Sequence, residues 1–163
     1  MLTRRAALGG TLGSLLLGAG PRLAAAQPLA EALAASDLVY LTPLRGDGTP
    51  SRCQAEVWFV YDGADIFVVT ATQAWRAEAV RQGRSRARIW VGDLGNWKRT
   101  EGAYRALPAL EARGELVADV AVHAAVLERF ADKYPLSWLR WGPRFRNGLS
   151  DGSRVMLRYR PLA

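Results

Sequence analysis

The stretch ADIFVVTATQAWRAEAVRQGRSRARIWV, residues 64–91, reads as a strand, a threonine-marked turn, one short helix and a second strand. Ile66, Phe67, Val68 and Val69 form a β-branched and aromatic run of the kind that fills a buried strand. Thr70 and Thr72 place two hydroxyls where the helix must begin, and Thr72 is the expected N-cap. Residues 73–82 are good helix material, and Gly83 sits where a left-handed residue ends such a helix. Arg76 lies one turn in, on the side of the threonines. Free N–H groups, two hydroxyls and a guanidinium at a helix start make an anion site that suits a phosphate monoester. In the plainer reading Arg76 is a solvated helix residue and Thr72 only a cap.

Outward from this stretch, the N-terminal residues 1–26 read as a targeting segment. Thr3-Arg4-Arg5 precedes a weakly apolar, glycine-rich run, and Ala24-Ala25-Ala26 offers a cleavage site before Gln27. The paired arginines fit a twin-arginine export signal, although Ala7 stands where an aromatic is usual. An ordinary secretory signal is the alternative. The apolar run is too short and glycine-rich for a retained membrane span. Export to the periplasm or beyond is therefore expected. The twin-arginine route carries folded proteins, which raises the expectation of a bound redox group.

Cleavage removes Arg4, Arg5 and Arg22 and no acid, so 22 basic residues become 19 against an unchanged 15 acidic ones, and the net charge falls from +7 to +4. So mild a balance does not call for nucleic acid. Residues 27–163 fit one domain with one core. Cys53 is the single cysteine, which excludes an internal disulfide and a thiolate metal cluster; a packed strand thiol is expected there.

Within residues 27–163, residues 28–35 suggest a short alanine-rich helix, 38–44 a strand, 45–50 a glycine-marked hairpin turn and 51–61 a second strand. That second strand alternates Cys53, Ala55, Val57 and Phe59 against Arg52, Gln54, Glu56, Trp58 and Val60. Residues 92–106 are irregular and polar, with a lid as one open possibility. Residues 107–117 read as a strand bulged at Gly114, and Asp119 caps a helix over 120–133 with Val122, Val126, Leu127 and Phe130 on its apolar stripe. Residues 136–147 read as a basic, aromatic loop holding Trp138, Arg140, Trp141, Arg144, Phe145 and Arg146; residues 153–159 close the chain as a strand. Some six strands joined mostly by hairpins, with helices inserted at two points, imply a small antiparallel barrel with helices at its rim.

This pattern resembles the pyridoxamine 5′-phosphate oxidase-like split β-barrel superfamily of flavin-binding proteins. The resemblance rests on Asp47-Gly48-Thr49-Pro50, on Val57 to Val60 followed by Asp62-Gly63, on the apolar strand ending at Thr70, on Arg76 six positions later, and on Ala87 to Val91. It implies an α+β, mainly β, six-stranded antiparallel split barrel with two or three short helices. It further implies a homodimer with FMN in a groove between subunits, deazaflavin F420 or haem being the alternatives. By position, Thr70, Thr72 and Arg76 would hold the cofactor phosphate, while Arg52, Gln54, Ala55, Glu56 and Val57 would line the ring edge. The implied activity is an FMN-dependent oxidation or reduction of a small molecule, the alternative being a non-enzymatic cofactor-binding protein on the same barrel. Two positions depart from the family pattern: the basic residue is arginine where lysine is commoner, and Ala79-Val80 and Arg84-Ser85 replace the usual asparagine signals.

His123, the only histidine, lies on the 120–133 helix and reads as a packed or rim residue, with haem ligation as the alternative. No metal-ligand cluster, nucleophile elbow, P-loop or dinucleotide fingerprint is present. No residue stands out as a catalytic acid or base.

Overall fold

The computed structural model describes residues 21–162, with side chains from Pro28 onward. Residues 1–20, which carry the paired arginines of the expected export signal, lie outside the described residues. The chain runs α1 (Pro21–Ala35), β1 (Leu38–Pro43), β2 (Ala55–Trp58), β3 (Val60–Tyr61), β4 (Ile66–Ala71), α2 (Trp75–Arg81), β5 (Arg86–Val91), β6 (Ala109–Val117), α3 (Val120–Lys133), α4 (Pro135–Ser150) and β7 (Arg154–Pro161). All strand pairings are antiparallel, in the order β2-β1-β5-β6-β7-β4-β3.

The two edge strands of that order are consecutive in the chain, with only Phe59 between them. The second strand expected over 51–61 is thus shorter, beginning at Ala55, and broken: β2 pairs with β1, whereas β3 pairs with β4. The break bends the chain from one edge of the sheet to the other, producing a nearly closed split barrel. It also takes Phe59 out of the ladder, where its backbone groups need other partners. Tyr134 supplies them, its hydroxyl accepting from the Phe59 N–H and lying within donating distance of the Phe59 and Asp37 carbonyls.

Among the described residues, seven strands and four α-helices therefore replace the expected six strands and two or three short helices. The extra strand comes from the break at Phe59, and the extra helix is α4. Residues 136–147, expected as a loop, lie inside α4, because Trp138, Trp141 and Phe145 fall on one helical face that the barrel can cover. Gly142 is required there, since a Cβ would meet the Trp138 ring at 2.8 Å. No bulge occurs at Gly114: the β6–β7 register is continuous, and the missing Cβ leaves room for the Tyr159 ring, 2.7 Å from where it would be. Cys53 is exposed and outside any strand, not packed.

Two apolar layers result. Val39, Leu41, Phe59, Ile66, Val68, Ile89, Leu157 and Tyr159 fill the barrel. On its outer side, Phe67, Val69 and Met156 meet Val126, Leu127 and Phe130 of α3 and Trp138 and Phe145 of α4. Asp119 caps α3 as expected, its carboxylate accepting from Ala121 and Val122 N–H. Residues 92–106 form two 3-10 turns, and Tyr104 from the second is buried against Tyr40 and Trp90.

Candidate functional site

The β4–α2 connection closes one end of the barrel. Thr70 faces inward near the end of β4, and its hydroxyl is buried without a hydrogen-bond partner. Arg76 follows in the first turn of α2, with Nε likewise buried and unpartnered. Among the described residues Arg76 makes no salt bridge. Loss of water around the guanidinium pushes its pKa down, and the Tyr159 phenol and the Glu56 carboxylate pull it partly back. Burial holds the Tyr159 phenol well above its usual range. A largely desolvated cation and an orphan hydroxyl six residues apart, at the end of β4 and the start of α2, leave polar atoms that an anion within reach of both would satisfy.

The helix start differs from expectation. Ala74, not Thr72, is the N-cap of α2, and no side chain caps it. Thr72 instead extends the β4–β7 pairing: its N–H donates to the Ser153 carbonyl and its hydroxyl donates to the Gly152 carbonyl. The hydroxyl proton of Thr72 is therefore engaged in the fold, although its oxygen can still accept. The end of α2 matches expectation. Gly83 is left-handed, and the Gly83 and Arg84 N–H groups donate back to the carbonyls of Val80 and Ala79.

The five residues assigned to a ring edge lie on β2 and just before it. Arg52 is exposed; Gln54, Ala55, Glu56 and Val57 are half-buried. Glu56 is already occupied, accepting from Asn96 Nδ2 at 2.8 Å and from the Trp97 N–H at 3.2 Å, which pins residues 92–106 against the barrel. β2 approaches β4 across the split. Val57 and Val69 consequently line one groove of about 290 Å³ with Trp58, Trp141, Phe145 and Arg154. Of the cofactor-site residues singled out from sequence, Val57 alone lines this groove; Thr70, on the opposite face of β4 from Val69, and Thr72 and Arg76 do not.

The aromatic wall of that groove was only half legible. Trp58 stacks on Tyr134 at 4.7 Å and meets Trp141 and Phe145 edge-on, while Arg144 and Arg154 lie over the Trp141 and Phe145 rings. The three- and four-residue spacing of Trp138, Trp141 and Phe145 was the available helix signal, although Gly142 and Pro143 are local helix breakers. His123 Nε2 lies 2.8 Å from the Val117 carbonyl, so that nitrogen is engaged with backbone. Among the described residues no group of three or more metal-ligating side chains occurs, and no helix is long and apolar enough to cross a membrane.

No family model matches the chain, and no curated protein matches it. Solved structures do. A candidate pyridoxamine 5′-phosphate oxidase from Listeria innocua superposes with a TM-score of 0.55 at 15% identity, over 84% of this chain and 93% of the other. The haem storage protein HutZ from Vibrio cholerae gives 0.53 at 16% identity, over 84% and 89%. A candidate 5-nitroimidazole antibiotic resistance protein from Bacteroides thetaiotaomicron gives 0.57 at 10% identity, over 84% and 80%. At these identities the likeness concerns architecture, and the chain has the split β-barrel fold that these proteins share.

Proposed function

We propose that the chain is an exported FMN-dependent oxidoreductase acting on a small molecule as a homodimer. The observation that carries this reading is the pair of buried, unpartnered atoms Thr70 Oγ1 and Arg76 Nε. A purely structural barrel gains little from a largely desolvated guanidinium without an ion-pair partner, because removing a charge from water is costly. A bound phosphate would receive charge-assisted hydrogen bonds from Arg76 and accept one from Thr70. FMN, when bound, would supply the electron transfer. This chain's own part is to hold the phosphate with Arg76 and Thr70 and to offer the β2 segment, Arg52 to Val57, as a ring edge. The two-segment groove between β2 and β4 is the feature that a ring ligand and a second subunit would share.

The test is a visible absorption spectrum of the purified protein, followed by FMN titration. Flavin absorbance, or saturable FMN uptake, supports the reading. A haem spectrum would move the barrel to a non-enzymatic binding role, and colourless protein indifferent to FMN would remove the cofactor altogether.

A further inference from the structure

Three arginines stand directly opposite one another across the outer face of β5, β6 and β7: Arg86 pairs with Arg113, and Arg113 with Arg160. Like charges placed so repel one another. The outer two are neutralised. Arg86 shares Glu111 with Arg88, each at 2.6 Å, and Arg160 lies 3.3 Å from Glu115 and 3.6 Å from Asp65. Arg113, between them, forms no salt bridge among the described residues, although Glu111 and Glu115 flank it on its own strand.

Arg113 lines a cleft of about 220 Å³ together with Arg45, Arg84 and Arg86, and no acidic side chain lines it. Backbone bonds fix its walls. The Leu44 N–H donates to the Arg86 carbonyl at 2.8 Å and the Gly114 N–H to the Ser85 carbonyl at 2.7 Å, which clamps the turn after β1 and the α2–β5 turn onto β5 and β6. Arg45 and Arg84 likewise form no salt bridge among the described residues. Asp47, which follows Arg45 in its turn, is taken up by the Thr49 N–H and hydroxyl. Arg84 lies over the Trp75 ring at 5.1 Å, which restrains its guanidinium.

We propose that this cleft binds a diphosphate, two linked phosphate groups either free or carried on a nucleoside. Guanidinium forks match phosphate oxygens in geometry and charge. One phosphate carries about two negative charges near neutral pH, too few for three arginines without carboxylates and a fourth that shares one. Two linked phosphates reach both flanks, Arg86 and Arg113 on the sheet and Arg45 and Arg84 on the turns. A recess of about 130 Å³ shares Arg45 and Arg84 with the cleft and adds the exposed Trp75, on which a base could stack. Arg76 lines neither space, so this assignment is independent of the cofactor proposal.

Pyrophosphate would be titrated calorimetrically into the full-length protein at about 0.15 M salt, where surface charge is already screened. It should bind saturably, one per chain, and at least about tenfold more tightly than orthophosphate, because only the longer anion engages both arginine pairs. Arg113→Gln should weaken pyrophosphate binding by about tenfold, while the ligand-free melting temperature holds or rises as the repulsive row loses its middle charge. Arg99→Gln removes the same charge beyond the other end of β5 and should leave binding unchanged, as should Arg76→Met. ADP that binds as tightly as pyrophosphate, and less tightly after Trp75→Ala, assigns the cleft to nucleotides; pyrophosphate binding without ADP binding assigns it to the free anion. Absence of saturable binding, equal affinity for orthophosphate, or equal losses in the Arg113 and Arg99 variants overturns the proposal. Loss of pyrophosphate binding in Arg76→Met with none in Arg113→Gln also overturns it, since the anion would then sit at the proposed FMN anchor.

Discussion

The aromatic layer beneath α3 and α4 and the barrel end beneath α2 are both buried, yet they are finished to different degrees. In the first, Phe130 lies stacked on Tyr134 and Trp138 and edge-on to Phe145, and the Tyr134 hydroxyl serves the backbone at the strand break. Its orphan is the neutral Trp138 indole N–H, which costs comparatively little. In the second, Thr70 and Arg76 leave polar atoms without partners, and one of them carries a charge. The buried hydroxyls of Thr42 and Tyr104 are also unpartnered, but they are neutral. Saturated packing marks what holds the fold. The unpartnered atoms of Thr70 and Arg76 are what the proposed phosphate site rests on.

The largest break in this comparison is Phe130→Ala, which removes a ring with no exposed surface from the centre of the layer. It should lower unfolding free energy by about 3–5 kcal/mol, read by denaturant titration, while FMN affinity of the folded fraction stays unchanged. Arg76→Met should do the reverse. FMN affinity should fall by about 2–3 kcal/mol in an isothermal titration, the scale of a charge-assisted hydrogen-bond pair, while the ligand-free melting temperature holds or rises. A fall in both would show Arg76 to be structural and end its role as an anchor.

Thr70→Val sharpens the contrast at a smaller scale. Replacing an orphan hydroxyl by a methyl of the same shape should raise ligand-free stability by about 1 kcal/mol and weaken FMN binding by a similar amount.

The smallest effect concerns pH. The folded-state pKa of Lys133, about 8, lies below its ordinary value of 10.5. Between those values the unfolded chain binds more protons, so this group's contribution to stability rises with pH across the window. Below it, both states are protonated and the desolvated ammonium is a fixed penalty. Lys133→Met should therefore stabilise the protein at pH 7 by on the order of 1 kcal/mol after solvent screening, and the advantage should vanish by about pH 10.5. An advantage that persists unchanged to that pH would rule out the shift.

Local signals carried much of this. Strand β4, the helix after it, the Gly83 terminator and the Asp119 cap were readable because each depends on a few neighbouring residues and one periodicity. Helix α4, expected as a loop over 136–147, contains the local breakers Gly142, Pro143 and Gly148, which are overridden by burial of Trp138 and Phe145 against a sheet face absent from the local sequence. Thr72 was misplaced because hydroxyls cap helices commonly, and the competing Gly152 carbonyl lies 80 residues away.

By itself the sequence determined an antiparallel barrel of β-branched strands with a Thr70–Arg76 turn at one end, since alternation, turn residues and caps are properties of short windows. The tertiary structure alone decided that the chain breaks at Phe59 to close the sheet, that Glu56 is spent on residues 96 and 97, and that Arg76 is left desolvated and unpaired. Which polar groups find partners depends on distances between segments far apart in the chain, and no local pattern encodes them.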